Sequence, residues 1–236
     1  MRELPILFSG PMVRAILEGR KTQTRRVVKN QPPEDVSPIV VDRYHPTVIL
    51  RNGEEAPGEE IFGAYSDDGD WGSKCPYGAP GDRLWVRETH DVNRLGVETF
   101  PDGCERFYAG IAYKADDGRH EADITERLYR TLDETESRGW TASIHMPRWA
   151  SRITLEITGV RVERLNDISE ADAANEGLYR LPALGRYVVQ KGEQYFGGAD
   201  RDARVVFADL WDRINGGGAW DANPWVWVVE FKRIEA

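Results

Sequence analysis

Glu18-Gly19-Arg20-Lys21-Thr22-Gln23-Thr24-Arg25-Arg26 packs an amine, two hydroxyls and three guanidiniums into nine residues, close behind a short apolar N-terminal run. Pro11 suits a first helical turn, where its missing N–H is not needed. Met12 with Ile16, and Val13 with Leu17, recur at helical spacing, and Gly19 supplies a left-handed stop. Lys21 to Arg26 is therefore expected to leave the helix in an extended path. In a regular strand alternate side chains share a face, so Lys21 is opposite in phase to Thr22 and Thr24. A bend at the helix exit would be needed to bring Lys21 and Thr24 together.

Charged residues after a helix ordinarily form a solvated turn. The charge context argues for more. Residues 1–30 hold seven basic residues against Glu3 and Glu18, in a chain of formal net charge −9. Residues 31–72 reverse the sign, with ten acidic residues against Arg43 and Arg51. A local basic patch on an acidic protein points to a focused anion site, suited to a phosphate or a short nucleic-acid segment rather than a long duplex.

At 236 residues the chain is expected to form one elaborated domain, 1–236. No apolar run approaches the roughly 20 residues that span a bilayer, and no signal-peptide pattern is present, so no membrane partner is expected. Cys75 and Cys104 stand far apart without a CxxC, which fits a reducing, cytoplasmic setting and structural thiols. His45, His90, His120 and His145 make no HxH, HExxH or HxxxH pattern, so no metal site is expected. No P-loop, GxGxxG or GxSxG occurs, and no cofactor is implied.

Strand patterns are clearest at Arg83–Glu88, after the Pro80-Gly81-Asp82 turn, at Phe107–Tyr113, over residues 151–160, and at Pro224–Ile234. Ser169, with Asp172 three residues on, opens a short helix through Glu176 that Gly177 closes. Ala203–Asn215 carries Val206, Phe207, Leu210, Trp211 and Ile214 on one face, and Gly216-Gly217-Gly218 reads as its stop. Three polar tracts, about 27–79, 115–148 and 180–202, are longer than simple connections and are read as insertions on a small β core.

Gly19-Arg20-Lys21-Thr22-Gln23-Thr24-Arg25-Arg26 matches the G-x-K-x-x-T-x-R pattern of the ASCH-domain family, relatives of the PUA domain. The Pro80–Leu84 turn-strand, the strand near Ile153, the Ser169 helix and the strand at Val226–Phe231 follow in the same order, and together cover about half the chain. Leu84–Glu88 with Trp220–Trp227 resembles the longer ASCH proteins of phage and prophage genomes. The resemblance implies an α+β fold: a small PUA-like mixed or antiparallel β-barrel of five or six strands, closed or nearly so, with covering helices and long loop insertions. A small bacterial branch of the family comprises amidohydrolases acting on acetylated cytidine; its implicated Lys, Thr and Glu correspond to Lys21, Thr24 and Glu176.

Two functions of different class follow. As an amidohydrolase on an acylated cytidine-like base, Thr24 would attack the acyl carbon and Lys21, its pKa lowered by Arg20, Arg25 and Arg26, would take the proton. Glu176 would serve the leaving nitrogen. As a non-catalytic binder of a nucleoside, RNA or DNA single strand, Arg20, Thr22, Arg25 and Arg26 would grip phosphate while Trp85, Trp149 or Tyr113 stacks a base. His145-Met146-Pro147-Arg148-Trp149 lies off any periodicity and is expected to line the cleft, with Arg148 and Trp149 as ligand contacts. Ribonuclease activity ranks third, because no histidine stands beside Lys21, Arg25 and Arg26 in sequence. The pattern does not specify the oligomeric state.

Overall fold

The structure, a computed structural model, describes residues 1–134 and 139–234. In chain order, β1 (Glu3–Leu7) and α1 (Gly10–Leu17) precede β2 (Gln23–Val27), β3 (Ile39–Tyr44), β4 (Thr47–Ile49), β5 (Glu55–Pro57), β6 (Ile61–Ser66) and β7 (Gly72–Lys74). Next come β8 (Arg83–Arg87), β9 (His90–Thr99), β10 (Glu105–Tyr113), β11 (Arg119–Ile124) and α2 (Glu126–Asp133). Then follow β12 (Thr154–Arg164), α3 (Glu170–Asn175), β13 (Tyr179–Arg180), β14 (Tyr187–Val188), α4 (Ala203–Asn215) and β15 (Trp225–Ile234).

The helices end where local chemistry ends them. Gly19, at φ +74°, follows α1, whose Met12, Val13, Ala15 and Ile16 are buried. Ser169 Oγ accepts from Asp172 N at 3.0 Å at the start of α3, and Gly177 at φ +105° stops it. Asp202 caps α4 through Arg204 N at 2.8 Å, and Gly216 ends it. Val206, Phe207, Leu210 and Trp211 of α4 are buried as patterned, whereas Ile214, expected on the same face, is exposed in the last turn.

The fold is mixed α+β with several sheets, and among the described residues none closes into a barrel. The strand order is β12-β15-β2 on one side of the chain's division into two units and β1-β8 on the other. This corrects the expectation of a closed barrel, and the start of β2 shows what meets that strand. There the last turn of α3 stands where a further strand would pair: Lys21 forms an antiparallel bridge with Glu176, and Thr22 N donates to Asn175 O at 3.0 Å. A helix end thus covers that edge.

Two compact units interleave along the chain. The first takes Met1–Arg2, Gly19–Arg83 and Glu156–Lys232. In it β15 pairs antiparallel with β2, setting Val228 opposite Arg25 and Val229 opposite Thr24, and α3 packs on α4. The 27–79 tract is not the loop insertion expected from its composition. It builds a β3-β6-β7 sheet and a β4-β5 hairpin, with Ala64 fully buried and Trp71 donating from Nε1 to Asn30 O at 3.1 Å.

The second unit takes Glu3–Glu18, Leu84–Leu155 and Arg233–Ala236. Its β9-β10-β11 meander carries a core of Ile111, Tyr113, Ala122, Met146 and Ala150, on which Trp149 packs. The 115–148 tract likewise contains regular elements, β11 and α2. Of the described residues, no helix is long and apolar enough to cross a membrane.

Candidate functional site

The motif strand and α3 meet in an ion network inside the first unit, buried at Lys21, Arg25 and Glu176 and partly exposed beyond them. Lys21 Nζ donates to Glu176 Oε2 and to Glu176 O, each at 2.8 Å. Arg25 holds the other oxygen, Nη1 donating to Glu176 Oε1 at 3.0 Å. Its other two nitrogens are also engaged: Nε and Nη2 reach Glu163 Oε1 at 3.0 and 2.6 Å, and Nη2 lies 3.4 Å from Asp172 Oδ2. Arg161 closes the ring from β12, donating to Glu163 Oε2 at 2.9 Å, to Asp172 Oδ2 at 3.0 Å and to Glu230. Three cations therefore face four carboxylates.

Strand alternation explains the assembly. Lys21, Gln23 and Arg25 share a phase, and all three reach α3; Gln23 Nε2 donates to Asp172 O at 2.8 Å. Burial pushes the Lys21 ammonium below its ordinary value; the Glu176 carboxylate opposes that shift, and Arg26 and Arg25 add to it. Lys21 also answers a question raised by position. A carboxylate at the C-terminal end of a helix is unfavourable with the dipole, and here a cation sits on both its side chain and its carbonyl.

The other motif residues are distributed differently. Thr24 is buried in β2 and belongs to the opposite phase from Lys21 and Arg25, so regular alternation turns its hydroxyl away from Glu176. Thr22 engages Asn175 O and Phe231 N through its backbone. Arg20 donates to Gly177 O and lies over the Tyr179 ring, 5.4 Å from its centroid. Arg26 follows Arg25 in the Thr24 phase, opposite Trp227 of β15.

In the second unit a cavity of about 580 Å³ is lined by His90, Asp91, Arg94, Thr141, His145 and Trp149, with Leu95, Leu128, Leu132 and Pro147 as its apolar part. Of the singled-out segment, His145, Pro147 and Trp149 reach this cavity, while Met146 is core and Arg148 pairs with Glu3 at 3.0 Å. The segment is clamped. Arg87 Nε donates to Met146 O at 3.2 Å, Tyr113 Oη to Ala150 O at 2.8 Å and Ser151 Oγ to Val86 O at 2.8 Å. Arg152 lies 3.9 Å from the Tyr113 ring centroid and binds Glu88 at 2.9 Å and Asp116 at 2.7 Å. Tyr113 itself is fully buried, and Trp85 lies under Arg87, 5.4 Å from its guanidinium.

Sequence reasoning missed Glu163, Asp172, Arg161 and Glu230, and it missed the cavity residues other than His145, Pro147 and Trp149. Arg161 and Glu163 stand two apart on a strand, a same-face signal that was present in the alternation of β12. Nothing local announces His90 or Thr141, which an isolated antiparallel bridge brings opposite one another. Cys75 is buried, its thiol pushed up to about 11 by burial, while Cys104 is exposed; both are free. Of the described residues, no group of three His, Cys, Asp or Glu is placed to hold a metal ion. No family model, curated protein or solved structure matches the chain.

Proposed function

We propose that this chain is a binding module for a base-bearing ligand, a nucleoside or a short single-stranded nucleic acid, of the ASCH and PUA-like type that the Gly19–Arg26 motif resembles. The observation that carries the reading is Trp149, held on the second unit's core at the wall of a cavity sized for such a ligand. The ion network adds support from the other side. All three guanidinium nitrogens of Arg25 donate to carboxylates, so the motif strand is read as architecture rather than as a phosphate grip.

Titration of the protein with nucleosides and with short RNA and DNA single strands, followed by tryptophan fluorescence, tests it. Saturable binding that falls at least tenfold in Trp149→Ala is expected; no binding to any of these ligands overturns the reading.

A second reading, removal of an acyl group from a cytidine-type base, is favoured by one observation: a buried lysine of lowered pKa with a carboxylate at 2.8 Å. It lacks a nucleophile on the same strand face. Incubation with N4-acetylcytidine, read by mass, decides it: turnover abolished by Lys21→Met establishes the reading, and an unchanged mass removes it.

A further inference from the structure

We propose that the Trp149 cavity is a site for an amino-bearing nucleobase, in which Nε2 of His90 accepts a hydrogen bond from the exocyclic amine. The inference rests on the base-binding reading above and adds which bases the site selects. His90 is buried, at 3% exposure, and lines the cavity. Its Nδ1 lies 3.3 Å from Glu88 O, and a carbonyl oxygen only accepts. The ring proton therefore sits on Nδ1, which leaves Nε2 with its lone pair. No hydrogen bond to Nε2 is seen among the described residues, which leaves it as an open acceptor on a residue that lines the cavity. Burial also pushes His90 below its ordinary pKa, which keeps that lone pair available.

The surroundings extend the same chemistry. His90 N donates to Thr141 O at 3.2 Å and Thr141 N to His90 O at 2.7 Å, so the two residues lie directly across from each other. Side chains opposed in this way share a face, with Cβ atoms about 5 Å apart. The spacing suits two adjacent polar atoms on the edge of a planar base: an amine toward His90 and a ring nitrogen or N–H toward the Thr141 hydroxyl.

Asp91 and Asp133 add acceptors to the wall. Arg94, which also lines the cavity, donates from Nη2 to Tyr108 Oη at 2.9 Å with its guanidinium carbon 5.3 Å from that ring's centroid. A register shift between Gly110 and Ile111 leaves Asn93 as the extra residue of a β-bulge, the kind of irregularity that re-aims side chains at a site. An acceptor-rich wall beside an indole calls for a flat ligand rich in donors.

Matched ligand pairs test the inference without altering the protein. Cytidine against uridine and adenosine against inosine each exchange an amine for an oxo group and turn the adjacent ring nitrogen from acceptor into N–H, a change that the Thr141 hydroxyl, donor and acceptor at once, meets either way. A preference of tenfold or more for the amino partner in at least one pair, with no reversal in the other, is expected in fluorescence titrations. In His90→Phe, which keeps a ring but removes the acceptor, that preference is expected to fall below threefold. Equal affinities within both pairs, or a preference for an oxo partner, overturn the inference and leave base binding standing. Absence of binding to all four nucleosides and to single strands removes the base-binding reading, and this inference with it. If His90→Phe does not fold, the ligand pairs alone decide.

Discussion

Glu176 is the residue on which the ion network turns, because it answers Lys21 with one oxygen and Arg25 with the other. Both side chains of the Lys21 pair are almost fully buried. Removing one partner of such a pair leaves an uncompensated charge in a poor solvent, at a cost of about 3–5 kcal/mol. Glu176→Gln takes a carboxylate from buried Lys21 and from Arg25, which keeps Glu163 and Asp172, and is expected to lose stability in that range. Lys21→Met leaves Glu176 still held by Arg25, so its loss should be smaller by about 1–2 kcal/mol. Urea denaturation of the two variants checks the order; a larger loss in Lys21→Met would show that Arg25 does not support Glu176 as described. At this scale the sequence showed part of the picture. The resemblance singled out Lys21 and Glu176 together, and strand phase separated Lys21 from Thr24. That Glu163 and Asp172 would meet Arg25 was hidden, because the capping pattern at Asp172 and the strand phase at Glu163 do not say which side chain tertiary packing brings to them.

At the level of elements, the segments with sustained periodicity were legible: α1, α3, α4, β8, β12 and β15 lie within a few residues of where their patterns put them. The 27–79 tract was not, since β3 and β6 mix half-buried and polar positions and are separated by exposed turns, which reads as loop when no partner strand is known. Gly177 stops α3 at φ +105°, a conformation that costs a residue with a Cβ about 1–2 kcal/mol. Gly177→Ala is expected to destabilise by that amount. Gly217→Ala, where an added Cβ meets nothing within 4 Å, should be nearly neutral. Equal thermal shifts in the two variants would contradict this.

The clamp on the Trp149 segment carries a pH signature of its own. Hydrogen bonds from Arg152 hold Asp116 below its ordinary value of 3.8, against a smaller opposing effect of burial. Its contribution is present above that value and lost as pH falls through the lowered native one. Glu88 has the opposite sign, for burial pushes it up despite Arg152, and its protonation above 4.5 favours the folded state. The acid loss assigned to this clamp should therefore lie below about pH 4. In urea melts across the acid range it should shrink in Arg152→Met; identical acid limbs in variant and wild type would remove Asp116 from the account.

For the molecule as a whole, a net charge of −9 and a motif strand whose Arg25 is already occupied set the character of any nucleic-acid binding. Each phosphate neutralised adds about −0.7 to the salt slope for single strands. With stacking as the main source of affinity, log K against log salt should fall with a slope no steeper than about −1.5. A slope beyond −3 would mean that several cations carry the ligand, and charge reversal of Arg20 and Arg26 would then be the first test.

The interleaving of the two units has a consequence for synthesis on the ribosome. Lys21 and Arg25 emerge early, yet their anionic partners lie 155, 151 and 138 positions further on. At roughly 5–20 residues per second, the nascent chain waits on the order of 10 seconds or more before Glu163 and Glu176 are translated. Through that interval Lys21 and Arg25 wait for Glu163 and Glu176, and the first unit has neither α3 nor β15. Folding of that unit is thus delayed until translation is nearly finished, and a message truncated before residue 163 yields a polypeptide with no route to it.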